Sequence, residues 1–235
     1  LTSVLAEGAG LSMKPVTLGH DDIAFLQYTG GTTGVAKGAM LTHGNLVANL
    51  QQCHAWFSQV ELERATYVCA LPLYHIFSLT VNCLLFTSIG GAGLMITNPR
   101  DFRGFIKQLR RHPPMFFAGV NTLFNALMNT PGFSELNFKS LVGTFGGGMA
   151  VQQVVAERWK NITGCNITQG WGLTETSPVA CGNPMVGSDA VYNGSVGLPL
   201  SSTEISIRDE RGVDVGIGSP GEICVRGPQV MRGYW

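Results

Sequence analysis

"DFRGFIKQLRRHPPMFFAGVNTLFNALMN", residues 101–129, changes its periodicity twice. Over 101–112 the apolar residues Phe102, Phe105, Ile106 and Leu109 recur at helical spacing. Asp101 stands where an N-cap carboxylate accepts the first free backbone amides, and the basic residues collect at the C-terminal end, where they complement the helix dipole. Residues 115–118 (MFFA) form a short continuous apolar run, read as a buried strand, and helical spacing resumes near 121–129. Helix, strand and helix in direct succession form the repeating unit of an α/β layer structure.

The alternation extends in both directions. Upstream, IAFLQY (23–28) reads as a strand. A helix over 43–57 carries Leu46, Val47, Leu50, Cys53 and Phe57, and TYVCAL (66–71) reads as a strand. A helix near 76–89 and a strand near 93–97 follow. Downstream come a strand at 141–145 and a helix at 151–162 with Val151, Val154, Val155, Trp159 and Ile162 facing inward. A short strand near 165–168 closes the series. The expected fold class is therefore α/β, a largely parallel sheet covered by helices on both faces. After Pro178 only short strands remain, at 203–207 and 222–226, joined by Gly/Pro turns. This predicts an α/β core over 1–180 and a small β-rich subdomain over 181–235.

Composition narrows the class of function. Lys+Arg and Asp+Glu both number 15, a balance that argues against nucleic acid as the main partner. The 6 cysteines form no CxxC pair and sit mostly in apolar runs, which favours buried thiols in a reducing compartment over disulfides or zinc. The histidines show no HxxxH or HExxH spacing. The uncharged stretch from Ile76 to Asn98 is long enough to span a bilayer, but Asn82, Ser88 and the glycines Gly90, Gly91 and Gly93 break it into a core helix, a turn and a strand. No signal peptide opens the chain, and a cytoplasmic location is expected. Leu1 in place of an initiating Met, and the close at "MRGYW", lead us to expect a piece of a longer protein.

Four segments carry chemistry, and each is predicted to follow a strand. "YTGGTTGVAKG" (28–38) is neither a Walker A loop, since Lys37 is followed by Gly38, nor a GxGxxG fingerprint. Its glycines let successive amides turn toward an anion, its threonines add donors and Lys37 adds charge. A phosphate cradle and an ordinary glycine-rich turn both remain open. "FGGGMA" (145–150) is either a tight strand–helix connection or a flat backbone surface for a planar ring. "QGWGLTET" (169–176) offers Trp171 as a stacking face and Glu175 as a lone acid, against core and surface readings respectively. "LPLYH" (71–75) ends on His75. In α/β sheets ligands bind outside the strand C-termini, so the four together describe a nucleotide site with one carboxylate for Mg²⁺.

These motifs resemble, in order, the blocks of the AMP-forming acyl/aryl-CoA synthetase, luciferase and adenylation-domain superfamily, which usually has Tyr where Trp171 stands. "LPLYHIF" and "GEICVRGPQVMRGYW" match two more of its blocks. Within it, "DDIAFLQYTGGTTGVAKGAMLTHGNLVANL", "ITNPRDF", "GVNTLFNALMN" and "GGGMAVQQVVAERW" are similar to the bacterial long-chain fatty-acid–CoA ligases. The resemblance covers essentially the whole chain.

It implies activation of a long-chain fatty acid by MgATP to acyl-AMP and pyrophosphate, then transfer to coenzyme A with release of AMP. By motif position, Thr29 to Lys37, with Gly30, Gly31, Thr32, Thr33 and Gly34 among them, would hold the β,γ-phosphates, and Tyr28 and Gly38 would belong to the same cofactor site. Gly146, Gly147, Gly148 and Met149 would line the adenine and the carboxyl end of the acyl chain. Gln169, Gly170, Trp171, Gly172 and Thr174 would complete the cofactor site, with Trp171 stacked on the base. Glu175 would ligate Mg²⁺. His75 matches the histidine at the acyl-carboxylate and thiol entrance, beside the alternative of a core histidine; His75, Lys37 and Glu175 form the implied catalytic set. Val120 and Asn121 would border the acyl tunnel. Phe77 and Leu79 stand where some long-chain ligases carry a gate tryptophan, so that gate is not carried over.

A homodimer, and peripheral attachment to the inner face of the cytoplasmic membrane, are compatible with the resemblance. It also implies a hinge and a C-terminal lid domain beyond Trp235, without which this piece would be inactive. The alternatives left open are a fatty-acyl-AMP ligase that loads a carrier protein, and a non-catalytic module binding nucleotide or acyl chain.

Overall fold

The computed structural model describes residues 2–29, 36–58, 60, 62, 64–185 and 192–235. Its centre is a seven-stranded sheet in the order β4-β3-β5-β6-β7-β8-β9. These are β3 (Thr66–Cys69), β4 (Ala92–Met95), β5 (Phe116–Gly119), β6 (Gly143–Gly146), β7 (Ile167–Gly172), β8 (Val179–Gly182) and β9 (Leu198–Pro199). Pairing is parallel from β4 through β7 and antiparallel from β7 through β9. The largely parallel sheet read from the sequence is present, and it runs on past residue 180 through β8 and β9.

The inner strands β5 and β6 are buried on both faces while the edge strands β4 and β9 are largely exposed, and adjacent residues feed opposite layers. Phe117 and Val68 join the layer formed by α4 (Phe102–Arg111), α5 (Asn121–Met128) and α6 (Gln153–Thr163). Phe116, Ala118, Tyr67 and Cys69 join the other, with Cys53 and Phe57 of α2 (His43–Phe57) and Val81 and Leu85 of a π-helix, Ser78–Leu85. This is the two-residue alternation of a strand covered on both sides. Asp101 caps α4 as expected, its carboxylate accepting from the Gly104 amide at 3.0 Å.

The first layer centres on Trp159, which is 0% exposed. Its ring lies 5.5 Å from Phe117 and 4.8 Å from Phe124, both edge-on, and its indole N–H donates to Thr144 Oγ1 at 3.2 Å. In α6 the inward face is Val155, Ala156, Trp159 and Thr163, whereas Val154, expected inside, is 67% exposed. Val155 and Trp159, four residues apart, define the buried stripe, and Val154, one residue before it, is turned off that face.

Two antiparallel hairpins stand beside the sheet. β10 (Glu204–Arg208) pairs with β11 (Glu222–Arg226), and β1 (Ile23–Tyr28) pairs with β2 (Gly38–Thr42). Strand β1 covers the 23–28 strand read from the sequence and leads into the glycine loop, but it does not join the main sheet. It instead pairs across the glycine loop, and residues of β2 form a strand that loop composition concealed. Two short helices complete the elements, α1 (Thr2–Gly8), which is wholly exposed, and α3 (Phe86–Ser88), which continues the π-helix.

Buried amides tie the parts together. Asn49 of α2 donates to Val179 O at 2.7 Å and accepts from Val179 N at 3.1 Å, so its side chain serves β8 as a neighbouring peptide would. Gln52 donates to Ser201 O and to Gln229 Oε1. No helix among the described residues is long and apolar enough to cross a membrane.

Trp159→Ala should destabilise the protein by about 3–5 kcal/mol, read as a lower denaturant midpoint with unchanged slope. Burial pushes the Cys53 thiol up to about 12 and the Cys181 thiol up to about 11, which keeps both protonated at neutral pH. Neither should react with iodoacetamide in the native protein, and both should react once it is unfolded.

Candidate functional site

In sequence order β3 is followed by β4 on one side of it and by β5 on the other. The chain thus reverses its winding between β3 and β5, and the loops leaving these strands diverge to open a crevice at their C-terminal ends. A cavity of about 280 Å³ lies at this edge. Its lining includes His75 from the loop after β3, Gly147 and Gly148 from the loop after β6, and Gly170 to Glu175 from the end of β7 and beyond. Thr29, at the end of β1, also reaches it. Four segments remote in sequence therefore meet at one opening.

The glycine- and threonine-rich loop is closed at its base. The Thr29 amide donates to Lys37 O at 2.9 Å, joining its two sides. Gly30, Gly31, Thr32, Thr33 and Gly34 lie outside the described residues. Lys37 is exposed, and its ammonium stands 5.2 Å from the centre of the Tyr234 ring.

β7 runs through Gly172, so part of "QGWGLTET" is strand rather than loop, with Trp171 paired to Cys181 across the hairpin to β8. The absence of a side chain at Gly170 makes this possible: a Cβ there would fall 2.1 Å from the Phe145 ring. The next turn, Thr174–Thr176, is pinned by the Leu173 amide donating to Thr176 Oγ1 at 2.9 Å, and Thr80 of the π-helix donates to Ser177 O at 2.8 Å. Glu175 rides on this turn, half-exposed, and accepts from the Tyr234 hydroxyl at 2.5 Å. That bond to a carboxylate pushes the Tyr234 pKa above its ordinary value.

His75 is exposed at the cavity and not part of the core. Its Nδ1 accepts from the Phe77 amide at 3.2 Å, which in the neutral ring puts the proton on Nε2. The imidazole therefore offers the cavity a donor.

Of the residues expected to bind cofactor, Thr29, Gly147, Gly148, Gly170, Trp171, Gly172 and Thr174 line the cavity together with His75 and Glu175. Tyr28, Lys37, Gly38, Gly146, Met149 and Gln169 stand outside that lining. Gln169 is 7% exposed and works within the fold, its Oε1 accepting from the Val151 amide at 2.9 Å and so holding the loop after β6 in place. Val120 lies beside Gly148, and Asn121 accepts from the Gln152 amide at 2.9 Å. Sequence reasoning missed the aromatic wall of Phe77 and Phe145, although the strand preceding "GGGMA" already placed Phe145 at its end. It also missed Tyr234, for which no local signal exists.

An open α/β sheet whose strand ends gather glycines, an imidazole, an indole and one carboxylate around a cavity is the architecture of a nucleotide-binding enzyme. Residues 3–235 match the AMP-binding enzyme family, and the chain belongs to that family. It is 53% identical over 234 residues to a long-chain-fatty-acid–CoA ligase of Yersinia pestis, and 37% identical over 216 residues to one of Bacillus subtilis (strain 168). The Yersinia comparison covers 99% of this chain and 41% of the relative, so the chain spans about two-fifths of its length. Among solved structures it is similar to ATP-bound MatB from Rhodopseudomonas palustris, with TM-score 0.84 and 27% identity over 99% of this chain and 45% of that one. A long-chain-fatty-acid–CoA ligase from Archaeoglobus fulgidus matches with TM-score 0.77 and 27% identity, over 92% of this chain and 44% of that one. The fold is thus that of the acyl-CoA synthetase-like, adenylate-forming enzymes.

Gln169→Leu should leave the Val151 amide without its partner and destabilise the protein by about 1–3 kcal/mol even without any ligand, as read by urea unfolding. A Gln169 that served only to contact ligand would leave that midpoint unchanged.

Proposed function

We propose that this chain forms the nucleotide- and acyl-binding part of a ligase that joins a long-chain fatty acid to coenzyme A by way of acyl-AMP. The observation that carries the reading is the meeting of Thr29, His75, Gly147, Trp171 and Glu175 around one cavity at the switch point of the sheet. The relatives named above support the substrate class.

In the first half-reaction a carboxylate oxygen of the fatty acid attacks the α-phosphorus of ATP, and the bond to pyrophosphate breaks. Thr29 and Lys37 stand at the two closed ends of the loop and offset charge on the departing pyrophosphate. Trp171 presents its half-buried face to the adenine, and the backbone at Gly147 and Gly148 admits the ring closely. His75, with its proton on Nε2, donates to the carboxyl end of the acyl group. In the second half the coenzyme A thiol attacks the acyl carbon, and AMP leaves with the electrons of the broken C–O bond.

The residues present fit Mg²⁺ as a companion of the nucleotide. No cluster of three or more His, Cys, Asp or Glu able to hold a metal occurs among the described residues. One carboxylate, Glu175, with the Thr174 hydroxyl beside it suits an ion that takes most of its oxygens from phosphate and water. When bound, the ion would neutralise phosphate charge.

In the intact protein, AMP release from MgATP should require both a long-chain fatty acid and coenzyme A. Lys37→Ala and Glu175→Ala should each lower it by about 10²–10³-fold. Release that needs fatty acid but not coenzyme A, with the acyl group passing to a carrier protein, would replace this reading by that of an acyl-AMP ligase. No fatty-acid-dependent AMP would remove the substrate assignment.

A further inference from the structure

Lys37, at the base of the glycine loop, and Glu175, at the cavity, each find a partner in the same residue. The segment Arg232–Trp235 lies along β2: Met40 N donates to Gly233 O at 2.9 Å, Arg232 N to Met40 O at 3.0 Å and Trp235 N to Gly38 O at 2.8 Å. A fourth backbone bond, Met231 N to Glu175 O at 2.8 Å, ties the same segment to the turn that carries Glu175. Tyr234 is thus fixed by main-chain bonds on both flanks, while the residue remains 44% exposed and is not there to fill the core. Its hydroxyl reaches Glu175 Oε1 at 2.5 Å and its ring faces the Lys37 ammonium at 5.2 Å.

We propose that Tyr234 is a positioning residue of the nucleotide site, holding Glu175 by its hydroxyl and Lys37 by its ring so that the two charges stay apart and open to phosphate and its cation. The inference rests on the nucleotide reading of the site. Its physical basis is the competition between partners. A flexible lysine and a glutamate that share one neighbour can pair with each other, yet the ion pairs formed among the described residues include neither of them. A phenol O–H bound to one carboxylate oxygen is a charge-assisted bond that fixes the group in direction and leaves the second oxygen free for a hard cation. A ring face holds an ammonium without neutralising it, so the charge remains available to an anion. The hydroxyl and the ring therefore act on different partners, which makes their roles separable.

The test is ATP binding by calorimetry to the intact protein without fatty acid, once in EDTA and once in excess Mg²⁺. Tyr234→Phe keeps the ring and deletes the hydroxyl. It should leave the affinity in EDTA within about twofold and weaken binding in Mg²⁺ by about tenfold, the worth of one hydrogen bond to a charged group. In a Glu175→Gln background the same substitution should add no further loss. Tyr234→Leu, which also removes the ring, should weaken binding in EDTA as well. Equal losses from Tyr234→Phe in both buffers, or a full additional loss on top of Glu175→Gln, would overturn the positioning role while leaving the nucleotide site standing. A wild-type protein that binds no ATP in either buffer would overturn the nucleotide reading and this inference with it.

Discussion

Phe116 and Phe117 are neighbours in the chain yet bury their rings in opposite layers, and the site depends on this division. A strand with a fully buried ring on each face must be covered on both sides, which draws α4, α5 and α6 to one face and α2 and the π-helix to the other. With both faces taken, the rims of the sheet are what is left for a ligand. The parallel direction of β3, β5, β6 and β7 then delivers the loops that follow these strands to the same rim, where the β1–β2 hairpin adds Thr29. The reversal of winding between β3 and β5 opens that rim into a cavity.

The same economy governs polar groups. Side chains that carry amides mostly hold loops rather than face the opening: Asn49 completes β8, Gln169 anchors the segment after β6 and Gln52 reaches the connection to the second hairpin. Groups that face the cavity are few and chemically distinct, an imidazole, an indole, a carboxylate and the side chains of two threonines. Buried amides that are fully bonded make rigid supports, and rigid supports are what a site needs if its few polar groups are to act at fixed positions.

Much of this was legible in the sequence because it rests on local pattern. Asp101 as a cap, the apolar stripe of α4 and the run around Phe116 and Phe117 need only neighbours a few residues away. The readings that failed needed distant partners. Strand β1 was found, but its mate β2 begins with Gly38 and Ala39, which read as loop, and only long-range pairing reveals the hairpin. Val154 was placed inside because valine is apolar, whereas Ala156, barely apolar, takes the inward position that helix phase assigns. Gln169 stood within a recognisable motif, yet its side chain serves Val151, 18 residues away. Tyr234 lies 59 residues from Glu175, and no spacing rule connects them.

The central claim is that four separated segments form a single nucleotide cavity, and amide hydrogen exchange with and without MgATP tests it directly. The account predicts that exchange slows together in segments 28–38, 145–149 and 169–177 and around His75, with little change in α4 and β4. Protection confined to one of these segments, or appearing instead along the groove between Val47, His54 and Ile89, would contradict it.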